Sequence, residues 1–278
     1  MFNIQALIES KSTEQDGMPL VMGILNVTPD SFSDGGRFVE RAHIEKQALD
    51  MVNAGVDIID IGGESTRPGA EVVTLQEELD RTMPVIEWVS ERFEAPVSID
   101  TYKTEVMAEA VSKGAQFIND VNALQSEGAV ELAVETGVSV CLMHKQGAFA
   151  TMQEAPVYAD VLQEVSSFLL ARAEVCEVVG LPSSHIVLDP GFGFGKTLAH
   201  NTALFERLDE LTSLKYPLLV GVSRKRMIAD ILDNAPVNER MVGSVAAAVL
   251  ASLKGARIVR VHDVKETVEA LKVTMQLM

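Results

Sequence analysis

Residues 97–120 read VSIDTYKTEVMAEAVSKGAQFIND and contain the unit that repeats along the chain. Two short apolar runs, Val97–Asp100 and Phe117–Asp120, each end in polar residues, and a longer segment separates them. Short and nearly continuous apolar runs indicate strands that are buried on both faces, as in a parallel sheet. Gly114 comes before the second run, which is typical of a helix that ends ahead of a strand. The stretch therefore predicts a strand, a helix and a second, parallel strand.

The same alternation extends over the rest of the chain. Patterns with helical spacing occupy residues 41–54, 160–179 and 239–254, whereas Pro84 predicts a kink or a break within 75–93. The ends of the predicted strands recur about every 33 residues, close to the roughly 31 residues per unit of a ~250-residue barrel. We therefore predict an α/β fold, a (β/α)8 TIM barrel with parallel strands and outer helices; a doubly wound open sheet is the alternative. The eight predicted strands are Leu20–Asn26, Val56–Ile61, Val97–Asp100, Phe117–Asp120, Val138–Met143, Ile186–Asp189, Leu218–Gly221 and Ile258–Val261.

Composition and charge limit the partners that the protein can have. The chain has 23 lysines and arginines against 40 acidic residues, and the net charge of −17 argues against a nucleic-acid or anionic membrane surface. No run approaches the ~20 apolar residues of a membrane span, and no signal-peptide pattern opens the sequence. Cys141 and Cys176 form no C-x-x-C pair, which fits a reducing cytosol. We expect a cytoplasmic protein with one barrel domain over residues 18–278, and a loose or capping segment over residues 1–17.

Polar residues stand where the predicted strands end. Because the active site of a barrel lies at the carboxyl ends of its strands, these residues are the candidates for function. A polar strand exit is often only a solubility feature, but all eight exits share the pattern. The residues are Asn26, Asp60, Asp100, Asn119, Asp120, His144, Asp189, Ser223, Arg260 and His262.

Three glycine-rich segments follow strands. GFGFGKT (191–197) has three residues, not four, between its first glycine and Gly-Lys, so it is not a Walker A loop, and it lacks the Rossmann glycine spacing. It is better interpreted as a flexible loop. Residues 26–36 and 62–70 are long for connections in a barrel, and such loops are often binding loops or lids.

Cations are concentrated after the last two strands. The segment SRKR (223–226) places three cations at a predicted helix start, where positive charge is unfavourable. Arg260 and His262 follow the next strand. A local positive region on an acidic protein predicts a phosphate-bearing substrate.

The motifs resemble, in the same order, those of the dihydropteroate synthase family, pterin-binding enzymes of the folate pathway. The resemblance spans residues 23–264 and implies a (β/α)8 fold, a homodimer and a need for Mg²⁺. It also implies a transferase that condenses (7,8-dihydropterin-6-yl)methyl diphosphate with 4-aminobenzoate, releases pyrophosphate and is a sulfonamide target. The matching stretches are GILNVTPDSFSDGG (23–36), DIGGESTRPGA (60–70), SIDTYK (98–103), INDV (118–121), MHKQG (143–147), DPGFGFGKT (189–197), GVSRKR (221–226) and VRVHDV (259–264).

The resemblance also implies roles for individual residues. It makes Asn26 the Mg²⁺ ligand and assigns catalysis to Arg67, Lys225, Arg260 and His262. The implied pterin pocket consists of Asp100, Asn119, Met143, Asp189 and Lys225. The implied pyrophosphate side consists of Thr66, Arg67, Arg260 and His262, and the aminobenzoate side of Phe32, Pro68, Phe194 and Ser223. The chain departs from the family pattern at Tyr102, Lys145 and Arg226.

Two other functions are consistent with a pterin-binding barrel. A methyl-donor domain of a corrinoid methyltransferase would keep Asp100, Asn119 and Asp189. It would not need Lys225, Arg67 and Arg260 for pyrophosphate. A catalytically silent pterin-binding protein would differ only in its lack of turnover.

Overall fold

A closed ring of parallel strands forms the centre of the molecule. The computed structural model describes residues 2–14, 17–27, 36–65, 72–149 and 151–278. The sheet order is β6-β5-β4-β3-β2-β1-β8-β7, and a parallel bridge between Leu188 and Leu218 joins its two ends. The TIM barrel prediction is confirmed, and the open sheet is wrong, because the bridge between Leu188 and Leu218 joins the two end strands β6 and β7. The strands are β1 (Leu20–Asn26), β2 (Ile58–Gly62), β3 (Val97–Asp100), β4 (Ala115–Asp120), β5 (Ser139–Met143), β6 (Ile186–Asp189), β7 (Leu219–Val220) and β8 (Ile258–Val261).

Helices alternate with these strands and cover the outside of the ring. None of the helices in the described ranges is long and apolar enough to cross a bilayer. The helices are α1 (Ile4–Glu14), α2 (Gly36–Asn53), α3 (Leu75–Arg92), α4 (Thr104–Ser112), α5 (Ala129–Thr136), α6 (Val161–Val179), α7 (Leu198–Glu206), α8 (Leu208–Thr212), α9 (Arg226–Ile231), α10 (Met241–Leu253) and α11 (Val264–Leu277).

Helix α3 passes through Pro84 without a break, so the alternative of two separate helices is wrong. Thr74 begins the helix with a capping box, in which its side chain and that of Glu77 bond each other's backbone N–H groups. Met83, Ile86 and Val89 are buried along the helix. This cap and this packing sustain the helix although proline cannot donate a backbone hydrogen bond.

Helix α1 closes the amino-terminal end of the barrel. Its Ile4 and Ile8 belong to the same buried cluster as inward-facing strand residues such as Phe117 and Val187. The backbone N–H of Ile4 donates to Ser139 Oγ at the start of β5 (3.2 Å). The opposite end, where the strands finish, carries the polar residues.

Candidate active site

Adjacent strands bring the predicted site residues to one end of the barrel. The register of the sheet pairs Asp100 on β3 with Asn119 on β4, and Met143 on β5 with Asp189 on β6. The four residues were predicted to line one pocket, and the structure places them side by side along the strand ends. Asn119, Met143 and Asp189 are buried, as expected of the floor of a site.

Arg260 connects two carboxylates on this floor. Its Nε donates to Asp60 Oδ2 and its Nη2 donates to Asp100 Oδ2, each at 2.6 Å. Asp60 is fully buried and also accepts hydrogen bonds from Ser98 Oγ (2.5 Å) and Asn119 Nδ2 (3.1 Å). Asp60 therefore holds both Asn119 and Arg260, a role that the sequence motifs did not assign to it. The sequence feature that identifies Asp60 as a candidate is a carboxylate within an apolar strand.

Burial and neighbouring charges shift the pKa values of this group. Burial raises the pKa of Asp100 to about 7; Arg260 opposes the shift and Asp60 adds to it. Burial disfavours the charged form of Arg260, but Asp60 and Asp100 outweigh it and the pKa is raised. The guanidinium is therefore a permanent charge, whereas the Asp100 carboxyl can change protonation near neutral pH.

Asp189 and Lys225 form a second charged group. Asp189 Oδ1 accepts a hydrogen bond from the Gly191 N–H (2.7 Å), and Lys225 Nζ donates to the Phe192 carbonyl oxygen (2.6 Å). Burial raises the pKa of Asp189, against the effect of Lys225. Burial lowers the pKa of Lys225 to about 8, against the effect of Asp189. Lys225 also lies 4.7 Å from the centre of the Phe194 ring, so it touches both the predicted pterin and aminobenzoate sides.

The predicted cation cluster 223–226 is divided by local carboxylates. Arg224 forms an ion pair with Asp263, and Arg226 forms one with Asp230 at 2.5 Å. Lys225 is the cation of this segment that faces Asp189. Two of the three cations in this segment therefore already have carboxylate partners of their own, and Lys225 is the one that lies with the site residues.

Ser223 and His262 lie together at the ends of β7 and β8. The His262 N–H donates to Ser223 Oγ (3.2 Å), and His262 Nδ1 lies 3.0 Å from the same oxygen. The resemblance implies that Ser223 belongs to the aminobenzoate side and His262 to the pyrophosphate side, and the structure places the two residues in contact.

The loop between β6 and α7 does not have the open form expected of a flexible glycine-rich segment. Gly191, Gly193 and Gly195 each adopt a positive φ, which favours glycine. A Cβ atom on Gly191 would lie 1.9 Å from the His144 carbonyl oxygen. The loop is packed directly onto the chain that follows β5, and Lys196 within it is buried.

Asn26 ends β1 beside Asp100. A Cβ atom added to Gly62 would lie 3.9 Å from Asn26 Oδ1 and 3.7 Å from Asp100 Oδ2, so both oxygens border the same space. In the described ranges no three His, Cys, Asp or Glu residues form a metal-binding group. A single amide oxygen fits Mg²⁺, which keeps waters and binds substrate phosphates rather than requiring a protein cage.

The other predicted residues are placed as follows. Phe32, Thr66, Arg67 and Pro68 lie outside the described residues, as does much of the two predicted lid loops. Of the three departures from the family pattern, Tyr102 donates to Glu64 Oε1 (3.1 Å) and Lys145 donates to the Gly147 carbonyl (3.2 Å). Neither hydrogen bond, nor the Arg226–Asp230 pair, involves Asp100, Asn119, Asp189 or Lys225.

Comparison with known proteins identifies the family. The family model of pterin binding enzymes matches residues 22–262. Dihydropteroate synthase of Escherichia coli strain K12 is 54% identical over 255 residues, which are 92% of this chain and 90% of the relative. A crystal structure of the Yersinia pestis dihydropteroate synthase in a sulfonamide drug complex has a TM-score of 0.88 at 50% identity and covers 94% of each chain. The Xanthomonas albilineans enzyme in complex with 7,8-dihydropteroate has a TM-score of 0.86 at 43% identity, again over 94% of each chain. With matches of this extent in sequence and in fold, the chain belongs to the dihydropteroate synthase family of pterin binding enzymes.

Proposed function

We propose that the chain condenses (7,8-dihydropterin-6-yl)methyl diphosphate with 4-aminobenzoate to give 7,8-dihydropteroate and pyrophosphate. The observation that carries the proposal is the juxtaposition of buried Asp189 with Lys225 at the same barrel end as Asp100, Asn119 and Arg260. Relatives in solved structures hold 4-aminobenzoic acid and 7,8-dihydropteroate. This arrangement of buried carboxylates, an amide and cations suits a flat polar ring and an anionic leaving group.

Asp189 binds the amino-pyrimidinone edge of the pterin in this proposal. That edge offers two adjacent donors, the ring N–H and the exocyclic amino group, and a carboxylate can accept both. The hydrogen bond from the Gly191 N–H fixes the carboxylate and favours its charged form. Asn119 and Asp100 supply further polar contacts, and Met143 packs against the ring.

The leaving pyrophosphate requires positive charge. Arg260 on β8 supplies it, His262 just after β8 lies on the same side, and Arg67 adds a second guanidinium. Mg²⁺, with Asn26 as its protein ligand, would neutralise the phosphate oxygens when bound. Arg260 is already oriented by Asp60 and Asp100, so little reorganisation is needed when charge develops on the leaving oxygen.

The C–O bond between the pterin methylene carbon and pyrophosphate breaks first, and the arylamine nitrogen then attacks that carbon to form the new C–N bond. Loss of pyrophosphate leaves a cation that the electron-rich pterin delocalises. An arylamine is unprotonated at neutral pH, so no strong general base is required, and its proton passes to solvent after attack. The protein therefore acts by positioning and charge stabilisation. Phe32, Pro68, Phe194 and Ser223 shape the aminobenzoate side, where a sulfonamide also binds.

One assay tests the proposal. Pyrophosphate release should require the pterin diphosphate, 4-aminobenzoate and Mg²⁺ together, and should give one 7,8-dihydropteroate per pyrophosphate. Omitting each component in turn is the control. Pyrophosphate release without 4-aminobenzoate would indicate hydrolysis, and pterin binding without release would indicate a silent binding protein.

We also propose a single-domain, cytoplasmic homodimer. The buried free thiols of Cys141 and Cys176 support a reducing compartment. An apolar surface on α9 and α10 supports the dimer: Val242 is 73% exposed and Leu250 is 51% exposed, with Ile231 and Leu253 also exposed. Val242, Leu250 and Leu253 follow helical spacing along one side of α10, and contiguous exposed apolar surface marks protein interfaces.

A further inference from the structure

Lys196 is a buried lysine that the proposed reaction does not use. It ends the loop between β6 and α7, and only 3% of the residue is exposed. Its Nζ donates to the carbonyl oxygens of Gly191 (3.0 Å) and Phe194 (3.1 Å). Nδ1 of His144, which follows β5, lies 3.0 Å from the same nitrogen. Burying an amine is costly unless hydrogen bonds compensate, so these contacts are the reason it is tolerated.

Lys196 lies where the β6–α7 loop packs against the chain that follows β5. A Cβ on Gly195 would lie 2.3 Å from the Gln146 carbonyl oxygen, so the β6–α7 loop rests on the backbone that follows β5. Tyr158 Oη donates to the Gly195 carbonyl oxygen (2.8 Å) in the same region of contact. Lys196 therefore ties the course of the β6–α7 loop to the end of the neighbouring strand.

Phe194 is the residue that this arrangement orients. Lys196 bonds its carbonyl, and Lys225 lies against its ring and bonds the carbonyl of Phe192. Lys196 and Lys225 thus both bond backbone carbonyls of the β6–α7 loop, Lys196 from the contact with the chain after β5 and Lys225 from the site. A change at Lys196 can reach the site through the backbone at Phe194 without touching a substrate.

We propose that Lys196 is a positioning residue for the second substrate, which holds Phe194 against Lys225 on the aminobenzoate side. The inference rests on the proposed function. Burial lowers the pKa of Lys196 to about 7, against the effect of Asp189. Both the charged and the neutral amine retain at least two N–H donors, so the two carbonyl bonds persist across neutral pH.

The test is the Lys196→Met variant, which keeps the length of the side chain and removes its donors. The KM for 4-aminobenzoate should rise about tenfold, equivalent to about 1.4 kcal/mol, whereas the calorimetric affinity for the pterin diphosphate should fall by less, because loss of the Lys196 charge acts on Asp189 through electrostatics alone. Lys196→Gln retains two N–H donors and should show a smaller rise. Lys145→Met is the matched control, because Lys145 contacts its own loop at Gly147 instead, and it should change neither parameter.

A double-mutant cycle separates positioning from general loosening. In a Phe194→Leu background, Lys196→Met should raise the KM for 4-aminobenzoate little further. An unchanged KM in the single variant, an equal loss for both substrates, or full additivity with Phe194→Leu would overturn the inference. If Lys196→Met does not fold, Lys196→Gln carries the same comparisons. A wild-type protein that forms no product refutes the proposed function, whereas an active wild type matched by its Lys196 variants refutes only this inference.

Discussion

Arg260 and Asp60 lie 200 positions apart in the sequence and share a 2.6 Å hydrogen bond on the floor of the barrel. The same guanidinium reaches Asp100 at an equal distance. The cation proposed to serve the leaving group is thus also the counterion of two carboxylates, so function and stability are coupled at this residue.

Arg260→Gln should lower both turnover and stability. Removing one partner of a buried ion pair typically costs roughly 3–5 kcal/mol, because the remaining charge is left uncompensated. The double variant Arg260→Gln, Asp60→Asn should regain part of the lost melting temperature but none of the turnover. Thermal melts beside the pyrophosphate assay measure the two effects. Equal recovery of stability and turnover would contradict a separate role of Arg260 in the reaction.

Asp189→Asn should fold and bind the pterin substrate poorly. The amide oxygen can still accept from the Gly191 N–H, so the local turn survives. The pterin edge, however, would meet one acceptor and one misdirected donor, at a cost of about 2–5 kcal/mol, or roughly 30-fold or more in affinity. Calorimetric titration measures the affinity, and a thermal melt is the control. Affinity within a few-fold of wild type would remove Asp189 from the pterin pocket.

Substrate affinity should fall at alkaline pH because of Lys225. Its pKa of about 8 means that the ammonium is present below that pH and is lost above it. Affinity for the pterin diphosphate should decline above about pH 8, by up to roughly tenfold per pH unit, and Lys225→Met should bind weakly without this decline. The same lowered pKa makes the Lys225 contribution to folding stability rise between about pH 8 and 10.5, since the unfolded chain binds more protons there. An unchanged alkaline decline in Lys225→Met would assign the titration to another group.

The glycines of the β6–α7 loop should differ in their tolerance of alanine. Gly193→Ala should cost about 1–2 kcal/mol, because a Cβ atom at positive φ is strained but meets only the Lys225 Cδ at 3.4 Å. Gly191→Ala should cost more, since the backbone must move away from His144. Urea unfolding measures both free energies. Equal values would mean that the contact with His144 relaxes without cost.

Val242→Asp should dissociate the proposed homodimer. Val242 lies in the first turn of α10, where a carboxylate is compatible with the helix dipole, so the fold should survive. Sedimentation velocity should show a monomer, and Leu49→Asp on α2, also an exposed apolar position, should leave the dimer intact. A dimer that persists in Val242→Asp would place the interface elsewhere.

The barrel was predictable because its determinants are local. Each strand is a short apolar run, and glycines such as Gly114 and Gly180 follow the helices at positions that require a positive φ. Asp100, Asn119 and Asp189 were also predictable, since a strand that ends in a polar residue brings it to the rim whatever the rest of the chain does.

The partners of the rim residues were not predictable from the sequence. Pairing of Arg224 with Asp263 depends on the side-by-side packing of β7 and β8, so the cluster 223–226 overstated the charge available to a ligand. The position of Lys196 is not predictable from the sequence, because its motif lacks the Walker A spacing and no local feature indicates that its amine points inward to His144.

Among the described residues, helix α1 fills the amino-terminal end of the barrel, and the polar site lies at the carboxyl ends of the strands. Because Ile4 and Ile8 fill the amino-terminal end, substrates and products of the proposed reaction would enter and leave at the carboxyl ends of the strands. Asn119 and Asp189 are buried at the carboxyl ends of their strands, so a molecule that binds to them lies beneath any molecule that binds later. Under the proposed function, the pterin ring would bind deepest in the barrel and 4-aminobenzoate would bind over it.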